Sequence, residues 1–280
     1  MAARYPRSSL AEPAGVTYTV VVRALFLAVL LPGCDRLAAA GQLLEDRSNP
    51  LVAQGLYLGM DLPEGVDFED NDDLHTSACE VFLADVADPS QIENSPVSGA
   101  KIHFRSPSNG NLALSEESDS DGKYLVYSGD GLEYAPGEDA RVTFTVDGAE
   151  GMMHVATPDA PDITLDSEHK ALTPMILDLT DYDYQQIVAA VYDLQRSKLT
   201  WDNLPEEVGE IYDFTHTDEP VRRLEIPKDA FQRKGNYIVG VAGMEIAGSE
   251  EMDGINTSLS AFIAGRMSIH AVSVTAPDEF

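Results

Sequence analysis

From Leu56 to about Leu165 the apolar residues alternate with polar ones in short runs, and no stretch repeats at a helical period. A period of two puts successive side chains on opposite faces, which suits a half-buried strand and cannot line one face of a helix. Residues 78–86 place Cys79, Val81 and Leu83 together on one face. Residues 101–104, 123–127 and 140–146 are similar runs, and each is bounded by Gly, Pro, Asn, Asp or Ser. Asn109-Gly110 and Gly129-Asp130-Gly131 supply turn chemistry between them. A second set follows at 173–179, 186–193, 198–201, 210–214, 223–227, 235–243 and 261–269. Residues 186–193 fit helix or strand by pattern, but Ile187-Val188 and Val191-Tyr192 favour the strand. Residues 228–231 allow one helical turn. The expected class is all-β, with two tandem β-sandwich domains at 56–165 and 166–280.

The N-terminal residues are of another kind. Arg4, Arg7 and Arg23 are the only basic residues before position 36, and Arg23 is followed by eight apolar residues, 24–31. That run is far short of the about 20 residues that span a bilayer. Extending it back through Val20-Val21-Val22 would bury Arg23 in hydrocarbon at a cost of about 2.5–3.5 kcal/mol. A positive start, a short apolar run and small residues after it form an export signal. The run ends in Leu31-Pro32-Gly33-Cys34, which resembles the lipobox of bacterial lipoproteins, with Pro32 an unusual residue at its place. The resemblance implies a signal peptide over 1–33, a diacylglycerol thioether and further acylation (palmitate-type chains) on Cys34, and a membrane lipid as the first partner. Lipid chains contribute about 0.8 kcal/mol per buried methylene, so two or three anchor a protein stably without spanning. Residues 34–55 are then the tether. The competing reading is cleavage after Ala38-Ala39-Ala40, which would release a free protein beginning at Gly41. The expected location is a bacterial cell envelope, periplasmic or surface-exposed, on the inner or the outer membrane.

Charge excludes one class of partner. Asp and Glu number 48 against 18 Lys and Arg, a formal net charge of −30, whereas nucleic acid demands a basic footprint. Hydrophobics at 44% are enough for a packed core, so acidity here is not disorder. Two cysteines cannot build a disulfide scaffold. Cys79, on an apolar strand face, is expected in the core.

Two stretches carry a further family likeness. Pro96-Val97-Ser98-Gly99-Ala100-Lys101-Ile102 and Asp119-Ser120-Asp121-Gly122-Lys123-Tyr124 resemble the opening strand and the hairpin of carboxypeptidase regulatory-like, prealbumin-type sandwiches. That resemblance implies a non-catalytic module and brings no active-site residues. Leu199-Thr200-Trp201 followed by Gly235-Asn236-Tyr237-Ile238-Val239 resembles a fibronectin III or immunoglobulin-like sandwich, which would bury Trp201.

Candidate chemistry is sparse. Glu117, Asp119 and Asp121 alternate before Gly122 like the start of a calcium loop, but position twelve is Ser128 and strands flank it. Asp70 and Asp72 belong to a second acidic run. These five are the calcium candidates, weighed against solvated loops; no other metal and no cofactor is expected. His216-Thr217-Asp218-Glu219 has the His-x-x-Glu zinc spacing, yet Pro220 follows at once and the remaining chain cannot build a metallocarboxypeptidase core. No Gly-x-Ser-x-Gly elbow and no phosphate-cradling loop occurs. Tyr182 and Tyr184 are candidates for an exposed aromatic patch that binds a protein or glycan. The expected function is a lipid-anchored, non-enzymatic binding or structural module. The alternatives are a calcium-stabilised adhesin-like envelope protein and an exported hydrolase.

Overall fold

The computed structural model describes residues 49–61, 75–85, 96–118, 122–180, 182–204, 220–257 and 260–277. Within them the protein is all-β. The strands are β1 (Leu51–Asp61), β2 (Ser77–Asp85), β3 (Lys101–Ser106), β4 (Gly110–Ala113), β5 (Ser115–Glu116), β6 (Lys123–Tyr127), β7 (Asp139–Val146) and β8 (Ala149–Ala156). They continue with β9 (Glu168–Lys170), β10 (Met175–Asp178), β11 (Gln186–Asp193), β12 (Lys198–Asp202), β13 (Arg223–Ile226), β14 (Gly235–Ile246), β15 (Met252–Asp253) and β16 (Ala261–Thr275). Helical geometry among the described residues is limited to single 3-10 turns, one of them the expected turn at Lys228–Phe231.

One sheet organises the molecule. Nine strands follow the order β12-β11-β14-β16-β1-β2-β6-β5, with β9 also on β16. β1 runs antiparallel to β2 but parallel to β16, with Gln54 opposite Ala261 and Asp61 opposite Ser268. A five-stranded sheet, β15-β8-β7-β3-β4, and a two-stranded one, β10-β13, are the others among the described residues.

Two cores lie side by side along the large sheet. The first packs Tyr57, Cys79, Val81, Leu83, Tyr124 and Phe262 against Phe104, Val142, Phe144 and Met153 of the five-stranded sheet. The second packs Ile187, Val191, Tyr237, Val239 and Val272 against Leu177, Ile226 and Phe231. β16 serves both, because its even-numbered residues share one face: Phe262 and Ala264 enter the first core, Val272 and Val274 the second. The opposite face of the large sheet carries a third apolar cluster that includes Leu58, Val188, Ile238 and Met267. Burial on both faces explains why β11 and β14 read as unbroken apolar runs without alternation.

Three expectations change. Strand structure starts at Leu51, inside the stretch expected as tether, because β1 is held on both sides within the sheet. β8 had no β-branched run to announce it; it is set by a hairpin at Asp147-Gly148, both at positive φ (50° and 88°), which returns the chain onto β7. β16 extends to Thr275, past the expected end at 269, since pairing with β14 continues to Val274. The run at 210–214 lies outside the described residues.

The described residues of the two stretches that carry the prealbumin-type likeness meet in space. Val97 N–H donates to Leu83 O at 2.9 Å, the Tyr124 hydroxyl donates to Val97 O at 2.8 Å, and Ala100 N–H donates to the same hydroxyl at 2.9 Å. Gly122 is required there: its φ is +74°, and a β-carbon would stand 2.8 Å from Leu83 O.

Candidate functional site

Most of the sequence-derived candidates do not converge. Cys34, Asp70, Asp72, Asp119 and Asp121 lie outside the described residues, as do His216 and Glu219. Glu117 reaches Lys123 Nζ at 3.5 Å. Among the described residues no three His, Cys, Asp or Glu side chains gather at metal-holding distance. Cys79 is fully buried in the first core, and burial pushes its thiol well above the ordinary range.

Tyr182 and Tyr184 are neighbours, with stacked rings 5.5 Å apart, but they do not form an exposed patch. Tyr184 is buried, and its hydroxyl donates to Asp159 O at 3.0 Å. The Tyr182 hydroxyl donates to Asp162 O at 2.6 Å, while its ring packs on the second core. Burial, with Tyr182 beside it, pushes the Tyr184 hydroxyl up to about 12. The correction has a simple cause: residues 157–166 pass from β8 to β9 as a strap, and tyrosine hydroxyls pin its carbonyls.

Beneath that strap is a seam between the two cores. Gly59, Arg266 and Gly243 occupy one row across β1, β16 and β14. Tyr134 fills the space over Gly59 and Tyr184 the space over Gly243. Between them Arg266 donates to Asp61 Oδ1 from Nε at 3.0 Å and from Nη2 at 2.6 Å, and its Cζ lies 5.9 Å from the Tyr134 ring centroid. Next along the strand, His270 Nε2 meets Ser268 Oγ at 3.0 Å, and burial holds the imidazole below its ordinary pKa. Every polar group named here has a partner, so the seam is a joint that fixes two bodies.

A second polar group lies on the opposite face of the large sheet. Glu80 is buried, and its Oε2 approaches Lys123 Nζ at 3.4 Å. At that distance the contact is an ion pair with no well-formed hydrogen bond, and the oxygen has no other partner. Burial raises the Glu80 carboxyl to about 7 even against the attraction of Lys123.

The outer face of the five-stranded sheet is the remaining arrangement, and sequence reading missed it. Asn111, Arg105, Arg141 and His154 stand opposite one another in a single row across β4, β3, β7 and β8. A depression of about 410 Å³ beside them is lined by Arg105, Ser106, Pro107, Gly110, Asp139 and Arg141. The row could have been found in sequence only by aligning four strands in register, and β8 gave no strand signal.

No known protein family matches the sequence, and no curated protein matches it. Among solved structures, the fibronectin domains FN1–FN3 of chicken CNTN1 align over 70% of this chain at 6% identity and a TM-score of 0.23. This chain covers 62% of that structure's length, less than two thirds. The IG1+IG2 pair of DIP-gamma aligns over 82% of this chain and 98% of its own length, at 9% identity and a TM-score of 0.18. At these values the likenesses identify neither a family nor a function.

Proposed function

We propose that this chain is a non-enzymatic binding or structural module of a bacterial cell envelope, held to a membrane by lipid on Cys34. The carrying observation is the place of β1: the first described strand after Cys34 lies inside the large sheet, between β2 and β16. A pull on the anchor is therefore borne by the centre of the fold and not by a frayed edge. At about 3.4 Å per extended residue, the stretch from Cys34 to Leu51 keeps the body within about 60 Å of the bilayer. The seam beneath the strap fixes the two cores relative to each other, as a body that presents a surface to a partner requires.

Mass spectrometry of the mature N-terminus tests the anchor. The expected product is an acylated Cys34 found in the membrane fraction, and Cys34→Ala releases the protein into the soluble fraction. An unmodified N-terminus at Gly41 would replace the anchored reading with a free secreted module. The calcium-stabilised alternative predicts a lower Tm under chelator, and an unchanged Tm removes it.

A further inference from the structure

We propose that the outer face of the five-stranded sheet holds a tetrahedral oxyanion, of the phosphate or sulfate type, between Arg105 and Arg141. The inference names a ligand class for the binding module proposed above and rests on that reading only for its biological setting.

Three observations carry it. First, Arg105 and Arg141 are directly opposed across β3 and β7. Like charges in that position are normally destabilising, because their β-carbons stand only about 4.5–5.5 Å apart. The chain has 18 Lys and Arg in 280 residues, so this pairing spends two scarce cations on one spot. Second, the counter-charge present is incomplete. Asp139 Oδ2 is 3.5 Å from Arg141 Nη2, and Asp139 Oδ1 is 2.9 Å from His154 Nδ1. Glu138, next to Asp139 in the chain, is engaged by Ser108, whose N–H and hydroxyl donate to its Oε2 at 3.1 and 2.8 Å. Arg105 has no ion-pair partner among the described residues. Third, there is room for a ligand. The depression of about 410 Å³ reaches both arginines. At Gly110, with φ +66°, a β-carbon would meet nothing within 4 Å, so one side stays open.

The chemistry selects the anion. A single guanidinium fork satisfies a carboxylate with two parallel hydrogen bonds. A carboxylate directs its acceptor sites in one plane, whereas a tetrahedral oxyanion directs its oxygens out of any single plane and can meet guanidinium groups from two neighbouring strands. With Asp139 already paired to Arg141, it is chiefly the charge of Arg105 that an anion would offset. The site is shallow, so it would grip an anionic group borne on a larger molecule, or a free anion, and would not enclose a small ligand. A long polyanion is disfavoured by the net charge of −30.

The test is a binding titration by calorimetry, with inorganic phosphate, a sugar phosphate monoester and acetate as probes at matched ionic strength. Phosphate and the monoester are expected to bind, and either Arg105→Gln or Arg141→Gln is expected to weaken them at least about tenfold. Arg223→Gln, on β13, is the control and leaves binding unchanged. Tighter binding of the monoester assigns an ester-borne group, and equal binding assigns the free anion. Arg105→Gln also relieves the opposed pair, so it raises Tm in anion-free buffer while abolishing the rise that phosphate gives the parent. Equal binding of acetate, or parent-like phosphate binding by both variants, overturns the proposal. A partner captured from envelope extract equally well by the parent and by both variants would leave the binding-module reading standing without this site.

Discussion

The Cγ of Tyr134 stands 2.3 Å from where a β-carbon on Gly59 would lie, so the ring occupies the place of the missing side chain. Tyr184 does the same over Gly243, at 2.6 Å from its Cε1. Arg266 sits between the two glycines in the same row. A flat patch of sheet, two aromatic rings and one paired guanidinium together form the joint between the cores.

Gly59→Ala is expected to destabilise the protein by about 1–3 kcal/mol, through overpacking of Tyr134. Contacting residues couple, so in a Tyr134→Ala background the same substitution costs much less. Urea denaturation of the four variants of this cycle measures the coupling, and additive costs would refute the account.

The strap depends on tyrosine hydroxyls. Tyr184→Phe keeps the ring over Gly243 and removes the bond to Asp159 O, at a cost of about 0.5–1.5 kcal/mol. The expected signature is local: faster amide exchange confined to the strap and its neighbours, with the second core's protection unchanged.

Glu80 sets a pH dependence. Its carboxyl rises from 4.5 to about 7 on folding, so between those values the native state holds more protons than the unfolded chain. Stability contributed by this group therefore falls as pH rises through that window, by about 1–3 kcal/mol. Glu80→Gln is expected to remove this slope. Measured at pH 5 and at pH 8, the variant gains on the parent at the higher pH; a constant difference between them would show that Glu80 is not held protonated.

Asp193 closes the β11–β12 hairpin. Its side chain is 2% exposed; Oδ1 accepts from the N–H groups of Gln195 and Arg196 at 2.9 and 3.1 Å, and Oδ2 accepts from Arg233 Nε and Nη2 at 3.2 and 3.0 Å. Arg233→Met leaves that buried carboxylate without its counter-charge. The expected cost is about 2–3 kcal/mol, below the full value for a buried pair because Arg233 is partly solvated. In an Asp193→Asn background Arg233→Met should cost far less, which thermal melts of the pair of variants can establish.

Local pattern made much of the fold legible. The strands at 123–127 and 186–193 have the expected bounds, and Cys79, Val81 and Leu83 share the first core. Each follows from a property of neighbouring residues: alternation, β-branching or a turn dipeptide. Tyr182 and Tyr184 show the limit. Two tyrosines among Asp and Thr have the composition of a wet surface, yet a strap from twenty or more positions upstream covers them.

The all-β class follows from the sequence alone, because side-chain periodicity fixes which backbone geometry can bury the apolar residues. Tertiary structure alone decided that residues 51–61 and 261–275 lie parallel in one sheet. It likewise decided that Arg105 faces Arg141, and that glycines in two distant strands make seats for two tyrosines. Those relationships join positions up to about two hundred residues apart, and nothing in either local segment specifies the register at which they meet.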